Sequence, residues 1–221
     1  MPRIKLATDE IQAAYDKETD SGKRVMIAMS GIMAHMPKAT KYLVATKAAA
    51  KHAGTLSQRL IELVRIRMAY HTQCRTCMTL RFQECLDDGL TQDLVCSLEK
   101  PQEAENLTPQ ERKALEYCDK FATDWLSIDD KYFQGMRKLF TEAEIVQLGF
   151  VCALHLGTGR LMASYAVTED LPETMQGEAG DHRYKPWEVD IDAITCDPLP
   201  DDVVEDIPID KRPDLLRRSA A

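Results

Sequence analysis

Two thiols three positions apart, Cys74 and Cys77, are the residues of this sequence best placed to do chemistry; they lie in the run Glu62 to Arg81, ELVRIRMAYHTQCRTCMTLR. A CxxC spacing lets two sulfurs meet on one helical turn, where they can alternate between dithiol and disulfide. Near a helix start the free amide groups favour thiolate, and a neighbouring cation such as Arg75 or Arg81 acts in the same sense. Two other uses of the pair stay open. Structural zinc needs four ligands, and only His71 and Cys85 lie close by in sequence. A pair of idle buried thiols is the other. Covalent haem attachment would need a histidine at position 78, which is Met78.

Glu62 is the second chemical feature. On a helix it shares a side with Ile66, Ala69 and Tyr70, so its carboxylate would be partly desolvated. Desolvation disfavours the charged form and moves a carboxyl group toward neutrality, where it can take and return a proton. The alternative is a plain ion pair with Arg59 or Arg65, each three residues away.

These groups have to be positioned by helices, because the chain reads as one helix after another. Thr8-Asp9 can cap a first helix to about Lys17, and an apolar segment from Val25 to Met36 stops at Pro37. Lys38 to His52 is rich in alanine and lysine and ends near Gly54. Thr55 and Gln58 fit a capping box for the helix that carries Glu62. Beyond the cysteines, Met78 to Leu86 is expected to continue helical, and Thr91 caps a short helix to about Ser97. Thr108-Pro109 with Glu111 opens a helix to about Trp125, Ser127 to Asp130 opens another to Phe140, and Thr141 with Glu144 opens the last. From Ile145 to Leu156 that last helix is apolar on nearly every side, which predicts that it lies at the centre of the bundle. No alternating strand pattern competes.

After Val167 the composition changes. Six of the ten prolines fall between Pro172 and Pro213, with acidic pairs such as Asp201-Asp202 and Glu205-Asp206. The expected architecture is therefore all-α, with a helical domain over residues 1–167 and an extended, proline-rich acidic C-terminal tail over 168–221. Tyr184, Trp187, Val189, Ile191, Ile194, Val203, Val204 and Ile207 give the tail apolar anchors, either along its own bundle or on a neighbouring subunit, with a slight preference for the neighbour.

A formal charge of −8 and a pI near 5.2 argue against a broad surface for nucleic acid or anionic membrane. The N-terminus lacks an apolar core of signal-peptide length, and Ile145 to Leu156 is too short and polar-flanked to span a bilayer, so a cytoplasmic location is expected. Seven scattered cysteines do not form the dense framework of a small secreted domain. Cys85, Cys118 and Cys152, set among apolar neighbours, read as buried structural thiols. No motif suggests a nucleotide, flavin or haem site, and no cofactor is expected.

The run from His35 through Arg81, with its proline turn, Gly54, the ELVRIRMA helix and the CxxC, resembles the carboxymuconolactone decarboxylase and AhpD-like alkylhydroperoxidase superfamily. The likeness extends through LTPQERKALEY and Glu144 to Ala163, covering roughly residues 22 to 167. It implies an AhpD-like helical bundle and an oligomer, a trimer or hexamer with thiol sites near subunit contacts. It also implies roles: Glu62 as proton-relay acid, Cys77 as the thiolate that a small hydroperoxide oxidises, Cys74 as the resolving thiol, and an external dithiol as reductant. The sequence departs from the family pattern where Arg81 replaces a relay histidine four residues beyond Cys77, and where Thr76 stands between the cysteines. Arginine can stabilise a thiolate but cannot shuttle protons at neutral pH. His71, one turn before Cys74, is the candidate replacement imidazole, with His155 in the last helix a second. Two further readings stay in view: a lactone decarboxylase-like lyase of aromatic catabolism, and a non-catalytic oligomeric binding protein.

Overall fold

The computed structural model describes residues 2–177 and 183–196. Ten α-helices and two short strands follow in order: α1 Asp9–Lys17, α2 Ser21–Met33, α3 Pro37–His52, α4 Gln58–Thr72, α5 Arg75–Thr79, β1 Leu80–Phe82, α6 Gln83–Asp87, α7 Gln92–Ser97, α8 Pro109–Thr123, α9 Asp130–Met136, α10 Glu142–Tyr165 and β2 Ile194–Cys196.

Local chemistry sets most helix starts. Thr8, Thr91, Thr108 and Thr141 each accept a hydrogen bond from a backbone amide in the first turn, and Thr108 with Glu111 and Thr141 with Glu144 complete reciprocal capping boxes. Two caps differ from expectation. Ser57, not Thr55, caps α4 by accepting from the Leu60 amide, while the Thr55 hydroxyl donates to Glu144. Asp129, not Ser127, caps α9, because its carboxylate accepts from the Tyr132 amide and Ser127 is taken up in a 3-10 turn.

The central helix is α4, flanked by α8 and α10, with ten of its fifteen residues buried. The expectation that α10 would be central is corrected. Ile145, Leu148, Val151 and Cys152 of α10 face the core, but Val146, Phe150, Ala153, Gly157 and Leu161 form an exposed stripe. A helix apolar all round carries two faces, and the bundle covers one. At 24 residues α10 also outruns the apolar stretch read from the sequence, and by length and composition it could cross a bilayer, although one side of it is packed on α4. Close packing of the two helices needs Gly159: a Cβ there would lie 2.6 Å from the Thr72 hydroxyl. Cys85, Cys118 and Cys152 are fully buried thiols, as their apolar neighbours indicated.

The stretch from Met78 to Leu86 is not one helix. Helix α5 ends at Thr79, and Leu80–Phe82 extend to pair in parallel with Ile194–Cys196 of the tail, Leu80 opposite Ile194 and Phe82 opposite Cys196. A distant segment supplies the hydrogen-bond partners, so no local pattern could announce this strand. The described part of the tail lies along its own bundle, where Leu171, Met175, Tyr184, Val189, Ile194 and Cys196 share a buried cluster with Val25, Ala69, Met78 and Leu80. Val203, Val204 and Ile207 lie outside the described residues.

Candidate active site

Helix α4 is stopped by Gln73, which adopts left-handed geometry (φ 54°) and sends its amide back to Ala69 and Tyr70. The chain turns there and restarts as α5 with Cys74 at its N-cap, whose sulfur accepts from the Cys77 amide at 3.2 Å. The two cysteines are joined as a disulfide, with their Cα atoms 5.2 Å apart. They are not equivalent. Cys74 is fully buried, whereas Cys77 is half-buried and lines a cavity of about 260 Å³ between α2, α3, α4 and α10.

Glu62 lines the same cavity, and its side chain is buried. It makes the ion pair that was the alternative reading: Arg65 Nε donates to one carboxylate oxygen at 2.6 Å and Nη2 to the other at 2.7 Å. The same guanidinium continues to the backbone carbonyls of Cys77 and Leu80, each at 2.7 Å. Arg65 thereby ties the carboxylate of α4 to the carbonyl of the cavity-facing cysteine. Burial works against its charge, yet Glu62 prevails and holds the guanidinium pKa above its ordinary value.

The other candidates face elsewhere. His71 turns away from the thiols, and its Nε2 bonds Asp119 of α8 at 2.6 Å, beside Arg67 at 2.7 Å from the same oxygen. Burial pushes the Asp119 pKa up, but the bonds from His71 and Arg67 more than offset that and leave it lowered. His71 is therefore a structural ligand of Asp119. Arg81 is fully buried and gives its donors to backbone carbonyls of Met78, Leu80 and Pro186 at 2.5, 2.9 and 3.3 Å. Arg75 holds the tail carbonyls of Met175 and Gly177 and stacks on Tyr184. Neither arginine lines the cavity, and the donors that were expected to stabilise a thiolate are given to backbone carbonyls instead, those of Arg75 to the tail and those of Arg81 to Met78, Leu80 and the tail residue Pro186.

Two cavity groups carried little weight in the sequence. His155, at one face of α10, lines the wall, and burial followed by the nearby charges of Lys47, Arg65 and Lys51 pushes its pKa well below the usual imidazole value, so the ring is neutral. Lys47 of α3 also lines it. The signal was present in α3, where Thr40, Leu43, Val44, Lys47 and Ala50 recur at the spacing of one helical face. Among the described residues no group of His, Cys, Asp and Glu is arranged to hold a metal ion.

Residues 37–120 match the model of the carboxymuconolactone decarboxylase family. The matched segment covers less than half of the chain. It runs from the first residue of α3 into α8 and includes Lys47, Glu62, Arg65 and both cysteines, while His155 and the tail lie beyond it. A solved structure, a protein of unknown function from Agrobacterium tumefaciens described as a candidate antioxidant defence protein AhpD, is 23% identical, with a TM-score of 0.52 over 59% of this chain and 90% of that one. The fold of the family segment and its surroundings is thus the AhpD-like helical bundle expected from the sequence. Among curated proteins none matches the chain significantly.

Proposed function

We propose that this protein is a thiol-dependent hydroperoxide reductase in which Cys77 is the attacking sulfur and Cys74 the resolving one. The observation that carries the reading is the asymmetry of the pair: both sulfurs are within bonding reach, but only Cys77 faces a cavity, and that cavity also holds Glu62 and His155.

The Cys77 thiolate attacks the terminal oxygen of a hydroperoxide; an S–O bond forms, the O–O bond breaks, and the alkoxide leaves as the alcohol after taking a proton. The Cys77 sulfenic acid then condenses with the Cys74 thiol, forming the disulfide and releasing water. An external dithiol in a reducing cytoplasm returns the pair to its thiols by exchange. The proton relay falls to the Glu62 carboxylate, held by Arg65, and the neutral His155 imidazole, polar groups that line the same cavity as Cys77. The exposed stripe of α10, with Val146 and Phe150 more than half exposed, supports self-association of the bundle, and Leu161 belongs to both stripe and cavity wall.

Mass spectrometry of the peptide spanning residues 74–77 after one equivalent of an alkyl hydroperoxide tests the assignment. The wild type yields the disulfide, Cys74→Ser traps a sulfenic acid on residue 77, and Cys77→Ser consumes no peroxide. Undiminished consumption by Cys77→Ser would defeat the proposal. Turnover of a carboxymuconolactone that survives alkylation of both thiols would favour the lyase reading instead.

A further inference from the structure

The charges around the cavity do not balance. Arg65 is matched by Glu62, and Lys51 is ion-paired with Glu84 and lies over the Phe82 ring. Lys47 is different: among the described residues no carboxylate is paired with it, and the charge that acts on it is the repulsive one of Arg65. It lines the cavity together with Met29, Met33, Leu43 and Met162, in a lining that is mostly apolar apart from Lys51, Glu62, Arg65, His155 and a few hydroxyls. An unmatched ammonium in apolar surroundings is costly to keep, and burial pushes its pKa down to about 8, which leaves it mostly charged at neutral pH.

We propose that the ligand of this cavity is an apolar molecule bearing one carboxylate, and that Lys47 is the residue that receives the carboxylate. The apolar lining takes the hydrocarbon body, as ligand cavities generally do, while one placed charge fixes its orientation. Lys47 of α3 lines the same cavity as Glu62 of α4 and Cys77 of α5, so a carboxylate anchored at Lys47 places its body in the space that the cysteine borders. In the reaction proposed above the substrate class becomes carboxylate-bearing alkyl hydroperoxides. This inference rests on the cavity being the substrate site of that reaction, but its test does not depend on turnover.

Octanoate and octan-1-ol share a chain and differ in head group, so calorimetric titration of both into the disulfide form, which presents no thiolate, isolates the contribution of Lys47. Octanoate is expected to bind about tenfold or more tightly than the alcohol, the size of one charge-assisted hydrogen bond. Lys47→Met should erase that preference while keeping alcohol binding, and Lys47→Arg should restore it; retained binding of the alcohol also shows that the variant is folded. Equal affinity of the wild type for the two probes, or an undiminished octanoate preference in Lys47→Met, overturns the proposal. Hydroperoxide turnover with unselective binding would sink this inference and leave the thiol chemistry standing, and selective binding without turnover would do the reverse.

Discussion

The segment from Glu62 to Phe82 has two sides that put arginine to different uses. On the cavity side Arg65 meets a carboxylate, and its remaining donors fix the carbonyls of Cys77 and Leu80. On the tail side Arg81 and Arg75 meet backbone carbonyls of Met78, Leu80, Pro186, Met175 and Gly177. A buried guanidinium with a carboxylate keeps its charge readily. Arg81 has no such bond, its Nε finds no acceptor, and burial together with repulsion from Arg65 pushes its pKa down to about 10. A cation close to a cysteine in sequence can thus give its donors to carbonyls on the other side of the backbone.

Removing the cavity-side arginine should be the most disruptive change. Arg65→Met leaves the Glu62 carboxylate buried and unpaired and frees two carbonyls, which should destabilise the protein by about 3–5 kcal/mol in urea unfolding. The double variant Glu62→Gln/Arg65→Met should recover part of that loss, because the uncompensated charge is gone. A single variant that unfolds at the wild-type urea concentration would mean that the pair is not what holds this side together.

On the tail side, Arg81→Met is expected to cost about 2–3 kcal/mol, since the bonds lost are to neutral carbonyls. Hydrogen exchange should accelerate at Leu80–Phe82 and Ile194–Cys196, the paired strands, while alkylation of reduced Cys77 keeps its wild-type rate. A marked change in that alkylation rate would instead return Arg81 to the role of thiolate stabiliser.

How far the sequence could be read follows the same division. Helix starts were legible where the cap is a local side chain, as at Thr8, Thr108 and Thr141, because the partners lie within four residues. Glu62 and the cysteines were legible from type and spacing. The strand at Leu80–Phe82, the departure of His71 toward Asp119 and the capture of Arg81 by Pro186 were not, because each depends on a partner 48 to 114 positions away in the chain. Lys47 was obscured for another reason. In an alanine- and lysine-rich helix an ammonium is expected to point to water, and only the phase of Leu43, Val44 and Ala50 shows that it does not.

Lys47 sharpens the cavity side through its energetic sign. Burial lowers its folded pKa to about 8, below the ordinary lysine value, so the charged lysine opposes folding. The opposition is complete below about pH 8 and fades as pH rises from there toward the unfolded value, where the lysine loses its proton in both states. The charged groups facing it are Arg65, Lys51 and the paired Glu62, with neutral His155 across the cavity. Lys47→Met should therefore stabilise the protein by about 1–3 kcal/mol at pH 7, and the gain should shrink by pH 10. A destabilised variant at pH 7 would show that the ammonium is better solvated than its surroundings imply.

The smallest effect belongs to Gln73, where the tail side meets the end of α4. A left-handed backbone at a non-glycine residue costs about 1 kcal/mol, which glycine would relieve. Against that, the Gln73 side chain accepts from the Tyr184 amide at 2.9 Å and donates to the Tyr184 carbonyl at 3.2 Å, a reciprocal clamp on the tail that glycine cannot make. The two contributions oppose each other, so Gln73→Gly should change global stability by no more than about 1 kcal/mol in either direction. Its signature is local: faster exchange of the Tyr184 amide with the Cys74–Cys77 disulfide still formed. If that amide stays protected in the variant, the clamp is not what seats the tail, and Arg75 on Met175 and Gly177, Arg81 on Pro186 and the pairing of β1 with β2 hold it without Gln73.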